Sequence, residues 1–378
     1  MRKIKVVFIQ HQLVFGGAEK ALYDLLCLLD KDKFDVCVYA QIPGGVWDEK
    51  FWNAGIGVTY DYTCRVATWN PIRKLDNLRK KWQIHQALAN DGAGLMDICC
   101  PGADILVSYS TWGSNQIGFG KNAKSVLYIH GNIETNKYLL DSTEAKREHI
   151  HRYDRIVCVS EEAKEAFCRW LGSGDRVETH YNPLNSLEVR EKAREKVDLP
   201  DDLPIICAVG RLAFEKAFER LILIHKDLMD KGIWHRLVLV GDGPDQEMLE
   251  RLIRATGTEE TVSLVGYREN PYPYMKASKL LAISSYTEGL PVIAMEALSL
   301  GVPIVATIPA VAEIFGDENC GLITENSTSG LEAGIQKMLT DEAFYAAAKA
   351  GAERRSSFFD GKRMVKEIED LFLELVKE

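Results

Sequence analysis

Residues 280–297 read Leu280-Leu281-Ala282-Ile283-Ser284-Ser285-Tyr286-Thr287-Glu288-Gly289-Leu290-Pro291-Val292-Ile293-Ala294-Met295-Glu296-Ala297. The opening apolar run, Leu280 to Ser284, is short and uncharged, which suits a strand buried on both faces. Gly289 frees the backbone after it, and Pro291 suits the first turn of a helix, so the stretch predicts strand, turn, helix. Glu288 then stands at the mouth of the helix and Glu296 on its second turn. In open α/β sheets ligands bind beyond the carboxyl ends of the strands, which is where Glu288 falls.

The same alternation extends in both directions. Apolar runs at Ile205–Val209, Leu237–Val240, Val262–Val265 and Ile304–Ala306 alternate with helical stretches in the second half. Runs at Lys5–Ile9, Val36–Ala40, Ile105–Tyr109, Val126–Ile129 and Ile156–Val159 do so in the first half. Two parallel-sheet α/β units in series are the expected fold. A length of 378 residues, 46% of them hydrophobic, is more than one core comfortably serves. The polar, proline-bearing stretch after Asn182-Pro183 marks the boundary, giving an N-terminal domain at 1–182 and a C-terminal domain at 183–357. The tail at 358–378 is amphipathic and suits packing against the first domain.

Composition narrows the class. The formal net charge is -9. Residues 1–180 hold 23 Lys+Arg against 22 Asp+Glu, or +1, which leaves 23 against 33, or -10, for the rest. That balance argues against nucleic acid as a partner. The nine cysteines form no Cys-x-x-Cys pair and sit mainly in apolar runs, so reduced, buried thiols are expected. No uncharged apolar run is long enough to span a bilayer, and residues 1–9 read as a first strand instead of a signal peptide. The expected location is the cytoplasm, with a peripheral position at the inner face of the membrane.

Three further strand ends carry candidate ligand contacts. Gly210-Arg211-Leu212 follows Ile205–Val209, and Lys216 opens the next helical stretch. Two cations beside a helix N-terminus suit a diphosphate, although the same pair also reads as a solvated surface pair. Gly241-Asp242-Gly243-Pro244 is a tight turn that lets backbone approach a ligand; it lacks the third glycine of a dinucleotide fingerprint. Gly266-Tyr267-Arg268 reads either as a structural turn or as a base-edge platform with Tyr267 stacking. A ligand that meets both Glu288 and Glu296 must extend sideways past the helix. A nucleoside diphosphate sugar has that length, with Glu288 accepting from sugar hydroxyls and Glu296 from the ribose.

Taken together, Val209-Gly210-Arg211-Leu212 with Lys216, Val240-Gly241-Asp242-Gly243-Pro244, and Glu288-Gly289-Leu290-Pro291 with Glu296-Ala297 resemble the retaining family 4 glycosyltransferases of GT-B fold. The resemblance covers most of residues 182–323. It implies two Rossmann-like parallel-sheet domains facing a cleft, with the helix at 358–378 crossing back to the first. It also implies a UDP- or GDP-sugar as donor substrate, with Arg211 and Lys216 on the diphosphate, Glu288 on the sugar and Glu296 on the ribose. Retention at the anomeric carbon is inherited from the resemblance, as is a hexose-type sugar passing to a glycan or lipid-linked acceptor in surface polysaccharide assembly. In the first half, Phe15-Gly16-Gly17-Ala18-Glu19-Lys20 resembles the family's N-terminal glycine loop. His130, directly after Val126–Ile129, stands where family members often place a histidine near the donor sugar. Two positions depart from the pattern: Ala217 replaces the glycine that commonly follows the lysine, and Thr307-Ile308-Pro309-Ala310-Val311 lacks the usual glycines and acid. These departures keep a non-catalytic nucleotide-sugar-binding protein as a rival reading; a GT-B sugar-nucleotide epimerase, which also binds a nucleotide sugar between two such domains, is the other.

Asp30-Lys31-Asp32 has the form of a metal-binding Asp-x-Asp, but it precedes Val36–Ala40 and so lies at the wrong sheet edge. No metal requirement is expected. Arg65, Arg73, Lys74, Arg79, Lys80 and Lys81, against Asp76 alone, lie among Trp69 and Trp82. The segment 65–82 reads either as a solvated helix face or as an interface with anionic lipid.

Overall fold

The computed structural model describes residues 2–14, 16–110, 116–135, 144–172, 174–200 and 202–377; Met1 of the first strand segment and Phe15 of the glycine loop lie outside them. The chain divides into two compact units, one of residues 1–183 with 361–378 and the other of residues 184–360.

In the first unit seven strands form one parallel sheet: β1 (Ile4–Gln10), β2 (Phe34–Ala40), β3 (Gly57–Thr59), β4 (Ile105–Ser108), β5 (Lys124–Ile129), β6 (Arg155–Cys158) and β7 (Val177–Thr179). Their order is β3-β2-β1-β4-β5-β6-β7. The chain builds outward from β1 on one side, then returns to lay β4 on the other. Helices cover the faces, so the middle strands are largely apolar, and Val6 to Ile9 are fully buried. The helix Gly361–Leu375 belongs to this unit, its Phe372 ring meeting Phe8 at 6.2 Å and Phe34 at 6.0 Å. Glu369 on the same helix accepts from the Asp30 backbone N–H at 2.8 Å. Asp30 and its neighbours thus serve packing at the amino edge of the sheet.

The second unit repeats the plan with six parallel strands: β8 (Ile205–Val209), β9 (Arg236–Val240), β10 (Val262–Leu264), β11 (Leu280–Ile283), β12 (Ile304–Ala306) and β13 (Gly321–Ile323). Their order is β10-β9-β8-β11-β12-β13. The helix Phe218–Asp230 buries Leu221, Ile222, Ile224 and Leu228, and the helix Gln246–Thr256 buries Leu249 and Ile253. Spacings of three and four put these side chains on one helical face against the sheet. Ser327 and Asp341 cap the following helices through their side-chain oxygens.

Strands β3, β7 and β13 fall outside the apolar runs of the sequence. Each has three residues, too few for a hydrophobic period, and all three lie at sheet edges where burial is lower. All nine cysteines are free thiols. Among the described residues no helix is long and apolar enough to cross a membrane.

Candidate active site

The strand orders create a switch point in each sheet, where successive strands leave in opposite directions: between β1 and β4 in the first unit, and between β8 and β11 in the second. Loops at the carboxyl ends of such a strand pair splay apart and leave a crevice for ligand. In the second unit the turn after β8 carries Gly210, Arg211 and Lys216, and the turn after β11 carries Glu288. Lys216 and Glu288, 72 residues apart in sequence, form an ion pair across this switch point. Their side chains are only 23% and 16% exposed, so the pair is shielded from full solvent screening.

Several contacts hold the acid loop against the lysine turn. Ser285 Oγ donates to Glu288 Oε1 at 2.7 Å, and Ser284 Oγ donates to the Lys216 carbonyl at 2.7 Å. The Tyr286 N–H donates to the Glu215 carbonyl at 2.9 Å. From the other side Thr307 Oγ1 donates to the Ser285 carbonyl at 2.7 Å, and Asn326 Nδ2 to the Tyr286 carbonyl at 2.9 Å. Arg220 is buried beneath the loop, donating to the Ser284 carbonyl at 3.0 Å and to Asn326 Oδ1 at 2.9 Å. The unusual Thr307 stretch thus supplies a buried support for the acid loop.

Arg211 is directed differently. Its guanidinium pairs with Glu215 at 2.5 Å and is 63% exposed, so the structure does not bring it to Glu288. Ala217, which terminates the lysine turn, adopts a left-handed backbone with φ 51 and ψ 44 while fully buried. That conformation favours glycine, and the alanine bears it at a cost of about 1–2 kcal/mol.

The turns after β8, β9 and β10 are laced together by backbone. The Gly210 N–H donates to the Val240 carbonyl at 3.0 Å, the Gly241 N–H to the Gly266 carbonyl at 3.0 Å, and the Leu212 N–H to the Asp242 carbonyl at 2.9 Å. A Cβ on Gly241, whose φ is 152, would lie 1.8 Å from the Gly210 oxygen, and one on Gly243 would lie 2.3 Å from the Leu212 oxygen. Both glycines are therefore required by contact between neighbouring turns, whatever ligand they meet. Tyr267 and Arg268 lie at the exposed rim, Arg268 donating to the Tyr274 hydroxyl and the Tyr267 carbonyl, each at 3.1 Å.

Gly289 and the buried Leu290 and Pro291 lead into the helix Val292–Ser299, with Pro291 at the N-cap position instead of inside the first turn. No side chain caps that N-terminus. Glu296, one turn in, is 6% exposed and accepts from the Tyr272 hydroxyl at 2.9 Å. Cations meet the carbonyl end: Arg190 donates to the Ser299 carbonyl at 3.0 Å, Lys276 to Leu300 at 2.9 Å and Lys349 to Gly301 at 2.6 Å. They satisfy carbonyls without helical partners and oppose the negative end of the dipole.

In the first unit Gly16, in the loop after β1, caps the helix Gly17–Leu28 in extended backbone. Glu19, in the first turn, is buried and accepts from Gln10 Nε2 at 3.2 Å. Burial pushes its carboxyl up to about 7, opposed by a backbone hydrogen bond. His130 follows β5, with its ring 4.4 Å from that of Tyr109 and 5.9 Å from that of Tyr128. Burial pulls the imidazole down to about 4, opposed by a hydrogen bond to the Tyr109 backbone, so it is neutral at physiological pH. Among the described residues, His130 Nε2 and the Tyr109 and Tyr128 hydroxyls are buried without hydrogen-bond partners. Three such atoms together mark a place where polar ligand groups or water complete the bonding.

Sequence patterns reached Lys216, Glu288 and Glu296 but not Tyr272, Ser285, Asn326 or Arg220. Ser285 lay within the quoted run; the other three had no local signal. Among the described residues no group of His, Cys, Asp and Glu is arranged to hold a metal ion.

Two Rossmann-like parallel sheets in series, with the second switch point holding a lysine and an acid, define the GT-B class of fold. Residues 15–186 match the family model described as Glycosyltransferase Family 4, and residues 189–355 match the model Glycosyl transferases group 1. The chain belongs to the GT4-like glycosyltransferases of GT-B fold. It is 29% identical over 64% of its length to the Campylobacter jejuni N-acetylgalactosamine-N,N'-diacetylbacillosaminyl-diphospho-undecaprenol 4-alpha-N-acetylgalactosaminyltransferase, spanning 65% of that protein. To an uncharacterized glycosyltransferase of Haemophilus influenzae it is 24% identical over 93% of its length, spanning 95% of that protein. To the lipopolysaccharide core biosynthesis glycosyltransferase LpsD of Rhizobium meliloti it is 27% identical over 60% of its length, spanning 66% of that protein. Among solved structures, Anabaena HepE in complex with UDP superposes with a TM-score of 0.73 at 18% identity, covering 98% of this chain and 100% of that one. Sucrose-phosphate synthase from Thermosynechococcus elongatus does so with a TM-score of 0.73 at 17% identity, covering 99% of each chain.

Proposed function

We propose that the protein transfers a hexose-type sugar from a nucleoside diphosphate sugar to a hydroxyl of a glycan or lipid-linked acceptor, with retention at the anomeric carbon, in surface polysaccharide assembly. The observation that carries this reading is the shielded Lys216–Glu288 ion pair at the switch point of the second sheet. The names of the Campylobacter and Rhizobium relatives favour a glycan acceptor, on a lipid diphosphate in the first case. UDP in HepE favours a uridine donor.

In this reading the donor enters between the paired groups. Lys216 turns to the diphosphate, joined by Arg211 from the rim and by the uncapped N-terminus of Val292–Ser299. Glu288, released from the lysine, accepts from sugar hydroxyls. Glu296, oriented by Tyr272, accepts from the ribose hydroxyls. Tyr267 and Arg268 flank the base, and the turns at Gly210 and Gly241 bring backbone close to it. As the bond between the anomeric carbon and the phosphate oxygen breaks, negative charge grows on the leaving diphosphate, where fixed cations and N–H groups stabilise it most. The departing phosphate takes the acceptor's proton, so neither Glu288 nor Glu296 acts as acid, base or nucleophile.

The test is turnover of UDP- and GDP-sugars by the purified protein, with the product's anomeric configuration read by NMR. Release of nucleoside diphosphate from one donor, slow without acceptor and faster with it, is the expected result, and chelator leaves it undiminished. Conversion of the donor to an epimer without acceptor, or binding with no turnover at all, overturns the reading.

A further inference from the structure

The helix Pro71–Ala89 carries its apolar side chains on the face that is wrong for packing on a sheet. It buries only Ile84 and Ala87. Leu75, Leu78 and Trp82 are 69%, 64% and 64% exposed, and Trp69 and Ile72, at its start, are 93% and 78% exposed. At about 100° per residue, Leu75, Leu78 and Trp82 fall within about 60° of one another and on the side roughly opposite Ile84 and Ala87. The same rotation sets the exposed Lys74 and Lys81 on one flank of the stripe and the exposed Arg79 on the other. The single acid, Asp76, is turned from the stripe and pairs with Lys80 at 3.3 Å. Lys74 also lies over the Trp69 ring, 5.2 Å from its centre.

An apolar ridge with cations along both sides fits one partner in particular. Two copies of this face brought together about a twofold axis would set cation against cation, which disfavours self-association. An anionic bilayer meets both parts at once, accepting Leu and Trp at the acyl boundary and Lys and Arg at the phosphates. In a chain of net charge -9, the cations at this ridge are a local feature. We propose that Leu75, Leu78 and Trp82, with Trp69 and Ile72, insert into the headgroup region of an anionic lipid membrane while Lys74, Arg79 and Lys81 contact its phosphates. The proposal concerns this surface alone and stands or falls independently of the donor assignments.

The test is co-sedimentation of the full chain with phosphatidylcholine vesicles and with vesicles also containing phosphatidylglycerol, at low and high salt. Binding to the anionic vesicles with a blue shift of tryptophan fluorescence, and little binding to the neutral ones, is expected. The triple variant Leu75→Ser, Leu78→Ser, Trp82→Ser should lose about tenfold or more of that binding with unchanged thermal unfolding, since these side chains lie outside the core. Lys74→Gln, Arg79→Gln, Lys81→Gln together should remove its salt dependence. No binding to anionic vesicles at low salt overturns the proposal, as does equal binding to neutral ones. Unchanged binding by the serine variant overturns insertion, and a concentration-dependent dimer that the serine variant dissolves assigns the ridge to a second copy of the chain.

Discussion

Lys216 and Glu288 hold each other in a partly shielded ion pair at the switch point of the second sheet. In the proposed mechanism, replacing Lys216 by Met removes a cation where charge grows in the transition state. A fall in kcat of roughly 100-fold or more is expected, with folding retained, measured as initial rates at saturating donor. In the proposed site Tyr272 acts through Glu296, to which its hydroxyl donates, and is a positioning residue. Tyr272→Phe deletes a hydrogen bond to a buried carboxylate, worth about 1.5 kcal/mol or more, so donor KM should rise about tenfold with kcat little changed. A drop in kcat at constant KM would instead give Tyr272 a role in the chemistry. His130 is neutral down to about pH 4, so the pH profile of kcat/KM near 6.5 should be the same for His130→Gln as for the parent. Of these residues, Lys216 and Glu288 were legible because each lies in the turn after a strand, and strand ends can be read from apolar runs; Glu296 was legible from its place on the second turn of the helix that Glu288 precedes. Tyr272 was not, because it reaches Glu296 from a separate helix 24 residues upstream, and no spacing rule links a phenol to a carboxylate across that distance.

At the scale of elements, the inner strands and the edge strand β10 were plain in the sequence, and the other three edge strands were not. β1 and β9 contain the unbroken apolar runs Val6–Ile9 and Leu237–Val240, whereas β3 and β13 begin at Gly57 and Gly321 and β7 contains Glu178. Tertiary pairing, not local preference, makes these last three into strands. Gly241 and Gly243 were read as room for a ligand, and the structure adds a stronger demand, contact between the turns after β8 and β9. Ala217 is the converse case, a residue that the sequence singled out as unusual and whose backbone carries the strain. Ala217→Gly should relieve the left-handed penalty while giving back part of the gain in unfolded-chain entropy. A net stabilisation of about 0.5–1 kcal/mol is expected in denaturant unfolding. Loss of stability would mean that packing of the buried methyl outweighs the strain.

The whole molecule should respond unevenly to acid, because its two units bury different titratable groups. In the second unit His225 Nδ1 and His235 Nε2 share a hydrogen bond at 2.9 Å, His225 Nε2 meets Thr261 Oγ1 at 2.8 Å, and both rings are buried. Burial drives both imidazoles down, His225 to about 3. The unfolded chain takes up protons below about pH 6.5 and the folded unit does not, so stability is lost progressively from there towards about pH 3. Between pH 7 and 5, His225 alone accounts for a loss of about 2 kcal/mol. In the first unit His130, lowered to about 4, acts in the same direction, but Glu19, raised to about 7, acts oppositely. A carboxyl raised on folding stabilises the unit in acid and loses that contribution as pH rises through about 7, so acidification to pH 5 restores it. The carboxylates held low by ion pairs, such as Glu134 and Glu178, titrate below this window. Calorimetry at pH 7 and pH 5 should therefore lower the melting transition of the second unit and leave that of the first nearly in place. Excess UDP should raise the transition that acid lowers, because a ligand selective for a folded unit stabilises that unit, and the proposed nucleotide site and the histidine pair lie in the same one. If UDP raises the transition that acid leaves unmoved, the nucleotide is held chiefly by the first unit and the roles proposed for Lys216, Glu288 and Glu296 fail.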